Sequence, residues 1–138
     1  MVLKSQDLKV GDVHRAVVAD DLTRTQLVQY CGASGDYNPL HSDEIYATAV
    51  AGYPSIFAHG MLTMGMAGRM LTDYVGDGRL LTFGGRFKAQ VWPGDRLTAT
   101  ATVRELRPDD ASVHLDVAVT NDDGLEVFAG YASARIDS

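Results

Sequence analysis

The stretch from Met61 to Val75 leaves this chain few choices. Between Met61 and Met70 only Thr63 and Arg69 are clearly polar. The spacing predicts a helix from Met61 to about Val75, and a helix apolar nearly all round is buried on most sides. Such a helix is about 22 Å long, enough to cross a small sheet. Gly60, Gly65 and Gly68 would each weaken it by up to about 1 kcal/mol relative to Ala. Close approach of a strand or a ligand to the helix backbone is the expected compensation. Something in the chain must therefore wrap this helix.

The residues that follow are suited to do so. Leu81 to Val91 reads as one strand, ahead of a turn at Pro93-Gly94-Asp95. Leu97, Ala99, Ala101 and Val103 then alternate with Thr98, Thr100, Thr102 and Arg104, the period of a half-buried strand. Val113, Leu115, Val117 and Val119 repeat the pattern, and Leu125 to Ile136 is the last strand. Short turns at Arg107–Asp110 and Asn121–Gly124 predict an antiparallel meander for the final three. The fold class is α+β: one strand, helices, then about four strands around the long helix. A chain of 138 residues fits one domain, 1–138, with no linker or repeat.

The first half carries helix grammar. Val13 to Ala19 is the first strand. Thr23 and Gln26 form a capping box, flanked by Leu22 and Leu27 as a hydrophobic staple. That helix should run to about Ala33, with Leu27, Val28, Tyr30 and Cys31 facing inward. Ser42 can cap a second short helix, with Asp43 and Glu44 in its first turn. Gly52-Tyr53-Pro54 stops it.

Between these helices lies Ser34-Gly35-Asp36-Tyr37-Asn38-Pro39-Leu40-His41. Gly35 permits unusual backbone angles, and Pro39 pushes Asn38 out of the α region. Asp36 and His41 thus sit on a bent loop held by helices, where chemistry is often found. Taken alone, Gly35 to Pro39 is also a good turn, and a lone His41 would more often be structural. The presence of His59-Gly60-Met61 at the start of the buried helix shifts the reading toward catalysis. His59 reads as structural, orienting the loop. A metal held by Asp36, His41 and His59 lacks support, since no HxH or HExxH spacing is present. Cys31 reads as core and inert. His14 and His114 read as surface residues on strands. Met61, Met64, Met66 and Met70 read most simply as core packing, though a Met-rich wall would also suit a flexible acyl chain.

The bulk charge is −6, which disfavours nucleic acid or an anionic membrane as the main partner. The single cysteine excludes an internal disulfide. With no signal peptide and no long apolar span, the cytosol is the expected compartment.

These segments resemble the MaoC-type hydratase/dehydratase family, which has the hotdog fold. Three marks carry the likeness: Ser34-Gly35-Asp36-x-Asn38-Pro39-Leu40-His41, then His59-Gly60-Met61, then Phe87 with Val91-x-Pro93-Gly94-Asp95. They cover nearly the whole chain in order. Within the family the likeness is greatest to the catalytic β subunit of heterodimeric (3R)-hydroxyacyl-acyl carrier protein dehydratases. The resemblance implies an antiparallel sheet wrapped around a long central helix that begins at Gly60. It implies a dimer, either a homodimer or a heterodimer with a second hotdog subunit, with sites at the interface. It implies reversible hydration of trans-2-enoyl thioesters to (R)-3-hydroxyacyl thioesters, carried by coenzyme A or acyl carrier protein, with no cofactor and no metal. Asp36 and His41 would be the catalytic pair, and the Gly60 N–H the oxyanion donor. Ser34, Asn38 and His59 would support the loop.

The chemistry suits those residue types. Hydration needs a water deprotonated as it attacks C3 and a proton delivered to C2. Imidazole exchanges a proton readily near neutral pH, and a carboxylate can hold the water and relay a proton. A helix amino end offers unpaired N–H groups to charge building on the thioester oxygen. Two other readings stay open: a hotdog thioesterase, and a partner-dependent subunit. An acidic carrier protein would need a local basic patch, for which Arg79, Arg86, Lys88 and Arg96 are candidates.

Overall fold

The computed structural model describes residues 2–138. Its strands are β1 (Val13–Ala19), β2 (Leu80–Phe87), β3 (Leu97–Arg107), β4 (Ser112–Thr120) and β5 (Glu126–Arg135). Its two α-helices are α1 (Arg24–Ser34) and α2 (Gly60–Val75). All strand pairs are antiparallel, in the order β1-β3-β4-β5-β2. The predicted meander β3-β4-β5 forms the middle of the sheet, and β1 and β2 are added at its two edges. Helix α2 contacts β1, β2, β3 and β5, so the sheet curls around it.

The period-two pattern decides the register. Leu97, Ala99, Ala101 and Val103 are buried, as are Val113, Leu115, Val117 and Val119. They meet Ala67, Met70, Leu71 and Val75 of α2 in one continuous core. Each Leu or Val so enclosed contributes roughly 1.5–3 kcal/mol. The capping box is present: the Thr23 hydroxyl accepts from Gln26 N–H, and the Gln26 side chain accepts from Thr23 N–H. Leu22 and Leu27 are both fully buried.

Several expectations are corrected. Helix α2 keeps an open stripe at Met61, Gly65, Arg69 and Asp73, one residue per turn. No atom lies within 4 Å of a Cβ built on Gly65, whereas Cβ atoms at Gly60 and Gly68 would meet the rings of Phe87 and Phe83. Close approach therefore explains two of the three glycines. Val28, expected inside, is half exposed on the outer side of α1. Asp43 rather than Ser42 caps the second helical segment, its Oδ1 accepting from Tyr46 N–H at 3.1 Å. That segment continues as a π-helix over Tyr46–Val50. His14 is half-buried, stacked on Tyr74 at 4.4 Å, and His114 is also only partly exposed.

The strand predicted over 81–91 ends at Phe87. Lys88 N–H still donates to the Val127 carbonyl of β5 at 2.8 Å, and the chain then leaves the sheet, so that the Val91 carbonyl accepts from Ala58 N–H at 2.8 Å. Asp95 then tightens the turn by accepting from Trp92 N–H. Leaving the sheet early is what builds one wall of the cavity described next.

Candidate active site

The loop between the helices is braced by its own side chains. Helix α1 ends on Gly35 in the left-handed conformation, φ +75°. The Ser34 hydroxyl donates to the Tyr30 carbonyl at 2.6 Å and accepts from Asp36 N–H at 3.1 Å. Asp36 Oδ1 accepts from Asn38 N–H at 3.1 Å. Asn38 Oδ1 accepts from Leu40 N–H at 3.0 Å and caps a 3-10 turn over Pro39–His41. Ser34 and Asn38 thus do what a loop brace must do: satisfy backbone donors where no helix can.

That turn delivers His41 into a buried position. His41 Nδ1 lies 2.6 Å from the Phe57 carbonyl oxygen. A carbonyl can only accept, so Nδ1 carries the proton and Nε2 of the neutral ring keeps its lone pair. His59, 2% exposed, stacks on His41 with ring centroids 3.8 Å apart. Its Nε2–H donates to the Asp36 carbonyl at 3.1 Å, tying the loop to the start of α2. Tyr30 packs edge-on against His59. Asp36 itself is exposed. One ligand-type atom from each of Asp36, His41 and His59 lies within 4.8 Å of the others. The imidazole planes are inclined by only 24°, so their in-plane lone pairs run side by side and do not converge on an ion.

Burial, and the nearby His41 ring, hold His59 below the ordinary imidazole range; the Asp36 carbonyl partly offsets this. Neutral His59 therefore contributes stability that is complete above pH about 6.5 and is lost as pH falls through its depressed folded value. Thermal melts from about pH 7.5 to 5 should show a falling Tm, with a shallower slope in His59→Asn. An identical slope in the variant would count against this assignment.

Gly60 opens α2, with His59 at the capping position but no side-chain cap to occupy the first N–H groups. A Cβ at Gly60 would sit 2.9 Å from the Phe87 ring. Beside it is a cavity of about 310 Å³ lined by Phe57, Gly60, Thr63, Phe87, Val91 and Val127, among others. The Phe57 carbonyl, a backbone atom, leaves no residue-type signal in the sequence. Nor does the sequence signal that Cys31 Sγ lies 3.7 Å from His59 Nε2. Phe87 stood in a motif, yet nothing there placed its ring over Gly60.

Of the four candidate basic residues, Arg79, Lys88 and Arg96 are paired with Asp137, Glu126 and Asp20. Only Arg86 has no ion pair among the described residues, so these four do not form a free basic patch.

The family model described as "MaoC like domain" matches residues 6–124. This chain is a member of the MaoC-like domain family. As a MaoC-like domain it is 35% identical over 133 residues to the (R)-specific enoyl-CoA hydratase of Rhodospirillum rubrum, covering 95% of this chain and 90% of that one. It is 36% identical over 131 residues to 3-hydroxyacyl-thioester dehydratase Y of Mycobacterium tuberculosis, covering 86% of this chain. The domain spans only 44% of the length of that relative, and 33% of the peroxisomal enoyl-CoA hydratase 2 of Arabidopsis thaliana. The solved R-hydratase PhaJ1 of Pseudomonas aeruginosa superposes with a TM-score of 0.86 at 27% identity, covering 99% of this chain and 87% of that one. The fold is the hotdog fold, and the MaoC-like domain has no helix among its described residues long and apolar enough to cross a membrane.

Proposed function

We propose that this domain hydrates trans-2-enoyl thioesters to (R)-3-hydroxyacyl thioesters, and catalyses the reverse dehydration. The observation that carries the reading is the oriented His41 ring, its Nδ1 held by the Phe57 carbonyl and a ring nitrogen within 4.8 Å of an Asp36 carboxylate oxygen, stacked on the His59 that precedes a helix amino end. Water held between Asp36 and His41 forms a bond to C3 as its proton passes to His41 Nε2. The alkene π electrons move toward the thioester oxygen, where Gly60 N–H receives the developing charge. The proton taken by His41 is handed through the Asp36 carboxylate to C2. Water is thereby added across the double bond, and both side chains return to their starting state. Ser34, Asn38 and His59 hold the loop in place for this. The similarity to hydratases and dehydratases that act on such thioesters supports the assignment.

The experiment is hydration of crotonyl-CoA, followed by loss of enoyl absorbance, with chiral analysis of the product. The (R)-3-hydroxyacyl thioester is expected. Release of free thiol in place of hydration would move the assignment to a thioesterase.

A second reading, a subunit that needs a partner, is favoured by apolar side chains left in solvent. Tyr37, Ile45, Val50 and Met61 are all more than half exposed on the loop, the π-helix and the start of α2. In that case activity appears only with a second hotdog chain, and the mass of the active species decides between the two. Coenzyme A or an acyl carrier protein would carry the thioester.

A further inference from the structure

We propose that the Thr63 hydroxyl is a second hydrogen-bond donor to the thioester oxygen, beside the Gly60 amide. The proposal rests on the hydration reading above. Thr63 is 2% exposed, and its Oγ1 has no hydrogen-bond partner among the described residues. The usual outlet for a helical threonine is the carbonyl four residues back. Here that carbonyl belongs to His59, and it accepts instead from the N–H groups of Leu62 at 3.1 Å and Thr63 at 3.4 Å. A buried hydroxyl without a partner is unfavourable, and a fold retains one where something else supplies the acceptor.

The geometry indicates what that acceptor is. In an α-helix the Cα–Cβ bond tilts toward the amino end, so the side chain at one position leans over the residue three before it. Three residues before Thr63 stands Gly60, which has no side chain in the way. Both residues line the same cavity, together with the apolar Phe57, Phe87, Val91 and Val127 and the polar Lys88 and Gln90. The Phe87 ring lies over the Gly60 Cα and is itself half exposed at the end of β2. An acyl thioester entering beside that ring brings an acceptor oxygen to the Gly60 amide and to a Thr63 hydroxyl that has no other acceptor among the described residues. Such donors matter most where water is excluded and where charge grows during the reaction.

The test is a pair of variants, Thr63→Val and Thr63→Ser, in the crotonyl-CoA assay, with thermal melts of each. Valine keeps the shape and removes the hydroxyl. The expected result is a kcat lowered about 100-fold in Thr63→Val, with KM changed less than about threefold. Its Tm should be unchanged or raised, because an unmatched buried hydroxyl is gone. Thr63→Ser should recover most of the wild-type kcat. An active wild type with undiminished kcat in Thr63→Val overturns the second donor alone. Equal losses in both variants accompanied by a lower Tm also overturn it, in favour of packing. A wild type inactive on every enoyl thioester tried, both alone and with a second hotdog chain, overturns the hydration reading itself, and this proposal with it.

Discussion

Replacing His41 by Ala, or Asp36 by Asn, is expected to lower kcat for enoyl-thioester hydration by about 100- to 10,000-fold. In the proposed mechanism, His41→Ala removes the group that takes the water's proton. It also frees the Phe57 carbonyl from its 2.6 Å hydrogen bond. Some loss of stability should accompany it, on the order of 1 kcal/mol, for the half-buried acceptor left unpaired. Asp36→Asn is the cleaner experiment. An amide oxygen can still accept from Asn38 N–H, as the Asp36 carboxylate does at 3.1 Å, so the loop is retained while proton transfer is lost. Circular dichroism and melting of Asp36→Asn should match the parent protein. Full activity in both variants would remove the assignment of this pair.

The second large effect lies far from the loop, where β2 meets β5. Gly85 pairs with Gly130 and Gly84 with Tyr131 across this ladder. A Cβ on Gly130 would fall on the Gly84 carbonyl oxygen and lie 2.8 Å from the Gly85 Cα. Both obstacles are backbone, which cannot turn aside as a side chain can. The Phe128 ring and the Tyr131 hydroxyl occupy the spaces that Gly85 and Gly84 leave open. Gly130→Ala must therefore part the strands, at a cost of about 3 kcal/mol or more. For a domain of this size that is a fall in Tm of about 10 °C, measurable by calorimetry. Because β2 ends at Phe87, in the cavity wall, activity should fall as well. A melt unchanged by the substitution would mean that the two strands are not in this close contact.

What could be read from the sequence was what is local or periodic. The Thr23–Gln26 box, the span of β1 and the alternation in β3 and β4 each depend on residues a few positions apart, and the structure has them as expected. The Asp36–His41 loop was legible because Gly35 and Pro39 force a bend whatever surrounds them. Features that depend on tertiary neighbours were not. Residues 89–91 have strand composition but lie outside β2, and Val91 bonds to Ala58 in the segment before α2. Val28 sits at a helical period that suggested burial, but α1 covers the core with Leu27 and Cys31 alone. The stacking of His41 on His59 joins positions 18 residues apart through the fold, and no pattern in the chain announces it.

The aromatic groups around His41 have a practical use. The chain contains one tryptophan, and its ring centroid lies 5.7 Å from that of Phe57, whose own ring meets His41 edge-on at 5.3 Å. Trp92 belongs to the segment that follows the cavity wall at Val91. The sole tryptophan thus stands one intervening ring from the imidazole, so its selectively excited emission should report events at that imidazole in the unlabelled protein.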